Sequence, residues 1–563
     1  MTPWADSMVL RHAASEGREY SGRQRPHKSQ AAAVLDRSRR AGPPLGCCRL
    51  ADRIASRPLA SDNPRVADIV LLSLNARYAH ASLGARYLLA NLGNLRQQAV
   101  LMEFDLSHRP LDLVERIVAH RPQVVGLGVY VWNATEAGAL AAALKTVRPE
   151  VLLVLGGPEI SHETDRQEIF RWADYIICGE ADLAFARLCQ ELLDGRRPAQ
   201  KIIAAPPPDL ATLQLPYDLY NADDLAQRVV YVEASRGCPF GCEFCLSSLD
   251  VPLRRVPLES FLAQMQMLLD RGLRQFKFVD RTFNLDGAAA CAILEFFLQR
   301  RDPELLMHFE IIPDRLPKAL ADLLPRFPPG AVQLEVGVQT LNPDVAQRIG
   351  RRQDNALVEK NLAWLRQHTG VHIHADLIGG LPGEDLASFA AGFDRLVSLR
   401  PHEIQVGILK RLRGAPIARH DHAWQMVYSP HPPYEVIQTS AMSFQTLQHF
   451  RRMARCWDLV ANSGNFTRTT ELILRSSSVF NVFWRFADFV YEQLGRVHAI
   501  AMSNLGQLLQ DFLISRQQLP PEAVHSALQQ DADRRGRVRL PGRQRQMRHH
   551  KVNLPLSEDL PHR

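Results

Sequence analysis

The feature that most constrains the fold is a regular alternation of apolar runs with helix-like segments, which begins at residue 66. The first five runs read VADIVLLSLN, QAVLMEFDL, QVVGLGVYV, VLLVLGG and DYIICGE, and helical segments are predicted at 82–95, 111–120, 134–147, 160–172 and 181–194. Nearly continuous apolar runs indicate strands that are buried on both faces, as in parallel sheets. We therefore predict a doubly wound α/β domain with a parallel sheet over residues 66–195.

A second set of strand-like runs follows between residues 229 and 410. It comprises VVYVEA, RQFKFVD, LMHFEII, VQLEVGV, VHIHADLIG and EIQVGIL, with helical stretches near 257–271, 286–301, 315–326, 354–368 and 384–399. Six β/α units with right-handed crossovers predict a partial (β/α)6 barrel, whose functional loops lie at the carboxyl ends of the strands. The Pro- and Asp-rich stretch between the two sets, residues 196–228, predicts an interdomain linker.

The rest of the folded chain, residues 411–533, has apolar residues at helical spacing and predicts a C-terminal helical region. We expect residues 409–434 to help close the open side of the barrel, because they follow its last strand. Three aromatic side chains in this region either line a pocket or, as we favour, pack in a helical core: Trp484, Phe486 and Phe489. Cys456 and Met442 are also expected to be core residues, with a part in the chemistry as the alternative.

Charge is concentrated at the two ends of the 563-residue chain, whose net charge is +7. Residues 1–65 contain 12 Lys/Arg against 6 Asp/Glu, and residues 534–563 contain 9 against 2, which leaves −6 for the rest. Both ends predict disordered basic extensions, with a nucleic-acid-binding arm as the alternative, and the first 60 residues could be an upstream extension outside the working protein. No apolar run approaches a membrane span, and nine cysteines do not indicate a disulfide framework, so we expect a cytoplasmic protein with reduced thiols.

The strongest chemical signal is RGCPFGCEFCLSS, which follows the first strand of the predicted barrel. Cys238, Cys242 and Cys245 form a C-x3-C-x2-C motif. Thiolates are soft ligands suited to iron–sulfur clusters and to zinc. An ordinary [4Fe–4S] cluster takes four cysteines, so three leave one iron open to another ligand. A zinc site and a structural cysteine cluster are the alternatives.

This spacing, with Phe244 directly before the third cysteine, resembles the signature of the radical S-adenosylmethionine (SAM) enzymes. The resemblance implies that the three cysteines are catalytic and hold a [4Fe–4S] cluster, that SAM binds the open iron, and that an electron from a flavodoxin- or ferredoxin-type donor cleaves SAM to a 5′-deoxyadenosyl radical. Three further segments, KFVDRTFN, LEVGVQT and DLIGGLPGE, resemble the SAM-binding parts of that family. The cofactor-binding residues they imply, besides Phe244, are Asp280, Glu335, Gln339, Gly379, Gly380, Gly383 and Glu384.

The N-terminal α/β domain resembles the cobalamin-binding domain that precedes many radical enzymes. Gly156 and Gly157 match the G-G of that family after the fourth strand. Val129 and Val131 stand where the family has Ser and Leu, and His80 lies near the position of the cobalt-binding histidine. The resemblance implies a cobalamin cofactor. It leaves open whether His80 is a cobalt ligand or an ordinary loop histidine.

Together the two domains resemble cobalamin-binding radical SAM proteins, which implies methylation or rearrangement of an unactivated carbon in a small-molecule substrate. One alternative is an RNA-modifying enzyme of the methylthiotransferase type, which would need a second set of cluster cysteines. Cys178 and Cys189 lie on different elements, and Cys47 and Cys48 lie in the basic extension. The other alternative is a non-catalytic iron–sulfur or cobalamin sensor. We expect no membrane partner, and nucleic acid is the less favoured partner.

Overall fold

The computed structural model describes residues 66–250 and 252–537, with side chains up to residue 534. The expectations for residues 1–65 and 538–563 lie outside the described residues. The first four residues of the predicted C-terminal extension, 534–537, complete a helix instead. No helix in the described part of the chain is long and apolar enough to cross a membrane.

The N-terminal part is built on a six-stranded parallel sheet, which confirms the predicted α/β class. Its spatial order is β2-β1-β3-β4-β5-β6. The strands are β1 (Ile69–Asn75), β2 (Ala99–Asp105), β3 (Val124–Gly128), β4 (Leu152–Gly156), β5 (Tyr175–Gly179) and β6 (Ile202–Ala205).

Helices cover both faces of this sheet. They are α1 (Leu83–Ala90), α2 (Pro110–Ala119), α3 (Ala134–Val147) and α4 (Ala184–Leu193). Apolar side chains of α2 and α3 share one core with one face of the sheet, and those of α4 share a second core with the other face. Burial on both faces explains the nearly continuous apolar runs of the inner strands β1, β3, β4 and β5.

Two predictions for this region need correction. The helix predicted at 160–172 is replaced by two short 3-10 segments, Thr164–Arg166 and Glu168–Trp172. Glu163 directly before them has φ 49°, which an α-helix cannot include. The predicted linker, 196–228, is also ordered: it contributes β6 to the sheet and places Tyr217 and Tyr220 fully in the core.

A second six-stranded parallel sheet forms the predicted partial barrel. Its strands lie side by side in chain order, and each parallel pair is joined by a crossover connection. They are β7 (Val230–Val232), β8 (Gln275–Phe278), β9 (Leu306–Ile311), β10 (Val332–Gln339), β11 (His372–Gly379) and β12 (Glu403–Ile408). The helices of this part of the chain are α5 (Ala222–Gln227), α6 (Leu258–Asp270), α7 (Gly287–Leu298), α8 (Lys318–Leu323), α9 (Pro343–Arg348), α10 (Asn355–His368) and α11 (Leu386–Ser398).

The C-terminal region begins with a short antiparallel pair, Val427–Tyr428 with Val436–Gln438, and is otherwise helical. Its helices are α12 (Phe444–Trp457), α13 (Thr467–Ile473), α14 (Val479–Leu494), α15 (Met502–Ser515) and α16 (Pro521–Arg537). These helices share one continuous hydrophobic core with the barrel. Phe486 and the side chains of Met442 and Cys456 are buried in that core, and Trp484 and Phe489 pack against it, as predicted.

Candidate functional site

The three cysteines of the C-x3-C-x2-C loop line one cavity at the carboxyl ends of the barrel strands. The loop leaves β7 through Gly237, whose φ of 92° and close approach to two backbone oxygens exclude a side chain. Backbone hydrogen bonds from Cys238 N to Asp250 O (3.0 Å) and from Cys245 N to Cys242 O (3.1 Å) fold it back on itself. The prediction that these thiols meet at the barrel mouth is therefore in agreement with the geometry.

The surroundings of the thiols favour a positively charged ligand. Burial raises the pKa of Cys238 to about 11 and also raises that of Cys242, which the Arg351 guanidinium, 3.6 Å from its Sγ, partly offsets. Thiolates therefore need a nearby cation, which iron would supply. No three His, Cys, Asp or Glu side chains among the described residues converge on a single metal position. A cluster site does not need such convergence, because each thiolate binds a different iron.

Charged side chains from neighbouring strands line the same cavity. Nη1 of Arg281 lies 3.0 Å from both carboxylate oxygens of Glu310, while its Nε and Nη2 are buried without a hydrogen-bond partner. Burial raises the pKa of Glu310 to about 7 despite this contact. A buried guanidinium with unused donors suits an anionic group of a bound cofactor. Sequence analysis missed Arg281, although it belongs to the noted segment KFVDRTFN.

Glu335 and Gln339 line this cavity as predicted, and a side-chain contact positions the first while a backbone bulge positions the second. Oε2 of Glu335 lies 2.9 Å from Nε2 of His308, whose pKa burial lowers to about 4. Gln339 follows a β-bulge in β10 and has φ 67°, a left-handed conformation that costs a non-glycine residue energy. Its buried Oε1 has no hydrogen-bond partner in the described structure. The bulge thus aims an unsatisfied amide at the cavity.

Asp280 does not line the cysteine cavity. Its buried carboxylate accepts hydrogen bonds from Ala234 N (3.0 Å) and Ser235 Oγ (2.5 Å), in the segment that leads into the cysteine loop. The structure thus gives it a positioning contact with the loop and places it beside a different cavity. Asp376, which sequence analysis did not select, does line the cysteine cavity.

The glycine-rich turn after β11 faces the C-terminal region. A Cβ at Gly379 would lie 2.3 Å from the Phe450 ring, one at Gly380 would lie 2.6 Å from Val436, and one at Gly383 would lie 2.7 Å from Trp424. These glycines let C-terminal side chains close over the strand end, and they line neither of the cavities at the barrel mouth. Glu384 does not cap the next helix, because Asp385 does so by accepting from Ser388 N at 2.8 Å. The Glu384 carboxylate instead accepts from Thr340 Oγ1 at 2.7 Å.

A cavity of about 370 Å³ lies at the carboxyl ends of the N-terminal strands, and Gly156 and Gly157 line it as predicted. Its floor also includes Gly126, where a Cβ would lie 2.8 Å from the Phe185 ring. Glycine at these strand ends keeps the cavity open, which fits a bulky planar ring system such as a corrin.

His80 does not line this cavity, so the geometry does not support it as a cobalt ligand and fits the alternative, an ordinary loop histidine. Its Nδ1 lies 2.7 Å from the hydroxyl of Tyr231 on β7. A different histidine, His162 of the GGPEISHE loop, lines the cavity, and burial lowers its pKa. The sequence offered no periodicity or spacing that distinguished the two.

A third cavity, of about 560 Å³, lies between the ends of β11 and β12 and the C-terminal helices. It shares Phe244, Gln339 and Asp376 with the cysteine cavity. Ser247, whose buried Oγ has no hydrogen-bond partner in the described structure, is shared by the cysteine cavity and the N-terminal one. The cysteine cavity therefore lies between the other two.

Buried ion pairs join the cysteine loop to both neighbouring regions. Arg236, directly before the loop, places Nη1 2.7 Å from Glu180 and 2.8 Å from Asp182 of the N-terminal domain, and Nε 2.9 Å from Glu233. Glu243, within the loop, lies 2.7 Å from Nε2 of His420 in the C-terminal region. Sequence analysis missed these contacts because their partners are far apart along the chain.

Comparison with known proteins identifies three matched regions. The radical SAM superfamily matches residues 232–396, the B12 binding domain matches residues 69–189, and a protein of unknown function, DUF4080, matches residues 422–537.

Individual relatives are distant. A 2-(S-pantetheinyl)-carbapenam-3-carboxylate methyltransferase of Streptantibioticus cattleyicolor is 26% identical over 337 residues, 53% of this chain and 48% of the relative. A ribosomal protein uS12 methylthiotransferase, RimO, of Pelobacter propionicus is 24% identical over 196 residues, 33% of this chain and 44% of the relative. Each match spans less than half of the relative's length.

The fold is similar to the solved structure of the cobalamin-dependent SAM radical enzyme OxsB, which holds aqua-cobalamin and SAM. The TM-score is 0.57 at 12% identity, with 84% of each chain covered. The chain thus carries a B12-binding domain followed by a radical SAM domain, as the resemblance in its sequence implied.

Proposed function

We propose that the chain is a cobalamin-dependent radical SAM enzyme that methylates, or rearranges, an unactivated carbon of a small-molecule substrate. The observation that carries the proposal is the order of the cavities. A cavity lined by three thiols lies between a glycine-floored cavity of the B12-binding domain and a large cavity under the C-terminal helices, and it shares lining residues with each. Such an order brings a cluster, a methyl donor and a substrate next to one another.

In this proposal the cofactors supply the chemistry: the cluster and SAM provide a 5′-deoxyadenosyl radical, and cobalamin carries a methyl group. The chain's residues position and shield. Cys238, Cys242 and Cys245 hold the cluster, the unused donors of Arg281 face the anionic part of SAM, and the Gln339 amide binds a hydroxyl or amino group. Glu335 is held in place by His308 and presents a fixed carboxylate to the same cavity.

Residues that close the cavities keep reactive species from water. Leu409 and Leu412, which follow β12, line the large cavity together with C-terminal side chains. The electron donor we propose is a flavodoxin or ferredoxin, and we place the enzyme in the cytosol, where exposed thiols stay reduced.

The methylthiotransferase alternative is less well supported by the described residues. Cys178 lies on β5 within hydrogen-bonding range of Thr164, and Cys189 is fully buried on α4, where burial raises its pKa to about 12. The described part of the N-terminal domain therefore supplies two cysteines on separate elements, fewer than the three that would hold a second cluster. Cys47 and Cys48 lie outside the described residues.

The test is anaerobic reconstitution of the full chain with iron, sulfide and cobalamin, followed by reduction with dithionite in the presence of SAM. We expect 5′-deoxyadenosine to form and to fall by about 100-fold or more in Cys238→Ala, because a lost ligand removes the cluster. Cys291→Ser is the matched control, since Cys291 lies on α7 away from the loop, and it should retain both iron and activity.

An intact SAM pool from a protein with full iron content, both alone and with cell extract added as a source of substrate, would contradict the radical mechanism. It would favour the sensor alternative. Retention of cobalamin on gel filtration by Cys238→Ala would show that the corrin site does not depend on the cluster.

A further inference from the structure

The large cavity under the C-terminal helices has one wall with an unusual composition. That wall is helix α12, which presents Gln448, Arg451, Arg452 and Arg455 to the cavity. The spacing of three, one and three residues places these side chains on one face of the helix. The opposite face, with Leu447, Phe450 and Met453, is fully buried against the core.

The acidic side chains of the cavity neutralise only part of this wall. Arg451 pairs with Glu435 at 2.5 Å and Arg455 lies 3.4 Å from Asp458, while Asp376 lies 3.3 Å from His374. All three acidic side chains that line the cavity thus have a basic partner.

Two guanidinium groups of the cavity have no carboxylate partner among the described residues. They belong to Arg452 of the wall and to Arg496 at the cavity rim. Arg452 instead stacks its guanidinium over the Tyr491 ring at 4.4 Å. Lys410 at the end of β12 lines the same cavity and adds to its positive charge.

The arginine side chains of this wall are partly buried, with Arg451 30% and Arg455 32% exposed, and some of their donors are unused. The Nε atoms of Arg451, Arg452 and Arg455 are all buried and have no hydrogen-bond partner in the described structure. Three guanidinium groups on adjacent helical turns repel one another, and an unused buried donor loses its hydration. An anion bound among them would remove both penalties.

We propose that this cavity binds a substrate that carries an anionic group, a carboxylate or a phosphate, and that Arg452 is its main contact. The planar guanidinium fork matches carboxylate and phosphate oxygens in a bidentate manner, and Arg451 and Arg455 flank it. Tyr491 fixes the plane of the Arg452 guanidinium. The inference rests on the proposed function, because the cavity adjoins the thiol-lined one through Phe244, Gln339 and Asp376.

The experiment measures anion binding directly, so that it does not depend on radical chemistry. The reconstituted full chain, with cluster, SAM and cobalamin, is titrated by calorimetry with inorganic phosphate in one arm and succinate in the other. We expect saturable binding in at least one arm, and the stronger arm distinguishes a phosphate from a carboxylate substrate. Arg452→Gln should weaken that binding by about 10-fold or more, and Arg452→Lys should weaken it less.

Two further variants separate recognition from folding and from net charge. Glu435→Gln removes a carboxylate from the cavity and should tighten anion binding by about 2- to 5-fold, whereas a purely structural role would weaken it. Arg475→Gln changes the net charge equally at an exposed position outside the cavity and should leave binding unchanged.

Absence of binding in both arms, or equal binding by the wild type, Arg452→Gln and Arg475→Gln, would overturn the proposal. So would loss of SAM binding in Arg452→Gln, because α12 would then serve the cofactor. The assay of 5′-deoxyadenosine is run on the same samples. Anion binding without SAM cleavage would contradict the proposed function alone, and SAM cleavage without anion binding would contradict the inference alone.

Discussion

The two six-stranded sheets share parallel strands and flanking helices, but their strands differ in what they bury. Helices cover both faces of the N-terminal sheet, and its strands are almost entirely apolar. In the barrel, apolar residues such as Phe309 and Ile373 face the core, while alternate positions bury ionisable side chains: Lys277, His308, Glu335, His374 and Asp376. Ionisable residues at every second position of a buried strand therefore indicate an enclosed space that holds a polar ligand.

The largest effect is expected from removing the ion pairs that join the N-terminal domain to the cysteine loop. Burial disfavours ionisation of Asp182, but Arg236 outweighs it and holds the pKa of that carboxyl below its usual value. Arg236→Met should therefore destabilise the fold by about 3–5 kcal/mol, because it removes the cation of Asp182 and Glu233, while Glu180 keeps Arg254.

Chemical denaturation at pH 7 measures this loss. Arg109→Met is the control, since the solvent-exposed pair of Arg109 with Asp112 should contribute little to stability. Because the Arg236 pairing stabilises the ionised carboxylates, the difference between wild type and variant should shrink as pH falls below the usual range of a carboxyl group. A loss that stayed constant from pH 7 to pH 3 would argue against the ion network.

A smaller effect on stability is expected from a single buried carboxyl group in the barrel, that of Glu384. Burial raises the pKa of Glu384 to about 7, and the hydrogen bond from Thr340 offsets this only in part. A carboxyl with a raised pKa in the folded state favours folding at low pH, and this advantage is lost as pH rises from about 4.5 to about 7. Glu384→Gln should remove that loss and stabilise the protein at pH 8 by up to about 3 kcal/mol relative to pH 4.5.

Thermal unfolding at the two pH values tests this prediction. The matched control is Asp354→Asn, whose side chain caps a different helix, α10. Asparagine is an equally good cap, so this variant should leave the pH dependence nearly unchanged. An unchanged slope in Glu384→Gln would mean that other buried carboxyls, such as Asp280 with a pKa of about 7, dominate the pH dependence.

The smallest effect is expected from a substitution in the N-terminal sheet. In Gly126→Ala the new methyl group meets the buried Phe185 ring at 2.8 Å, which should cost about 1–3 kcal/mol and narrow the cavity. Retention of cobalamin on gel filtration should fall, while iron content and the cluster spectrum stay unchanged. Gly138→Ala on α3 meets no neighbouring atom and should be neutral or stabilising by up to about 1 kcal/mol. Equal retention by the two variants would contradict the assignment of this cavity.

The sequence predicted most of the fold because its signals are local. Eleven of the twelve sheet strands coincide with the apolar runs that were read as strands, and only β10 extends beyond its run, by one residue to Gln339. The sixth strand, Ile202–Ala205, was missed because it is short, lies at an edge and is followed at once by Pro206–Pro208. Proline is common next to edge strands, so the same residues also suit a linker.

The site was less predictable, because its features depend on contacts between distant segments. The cysteine spacing is local and was recognised, and so were Phe244 and Gln339. The roles of Asp280 and Gly379 could not be read, because each depends on a partner, Ser235 or Phe450, that only the fold brings near. The choice between His80 and His162 depends in the same way on which loop faces the cavity.

The two faces of helix α12 have different functions, so the residues on one face can vary independently of those on the other. One face carries the packing that seals the barrel, with Phe450 set against Gly379, and the other carries the basic wall of the large cavity. Substitutions at positions 448, 451, 452 and 455 can alter the charge and shape of that wall while the sealing face stays intact. The charge of this cavity can therefore change without the fold having to be rebuilt.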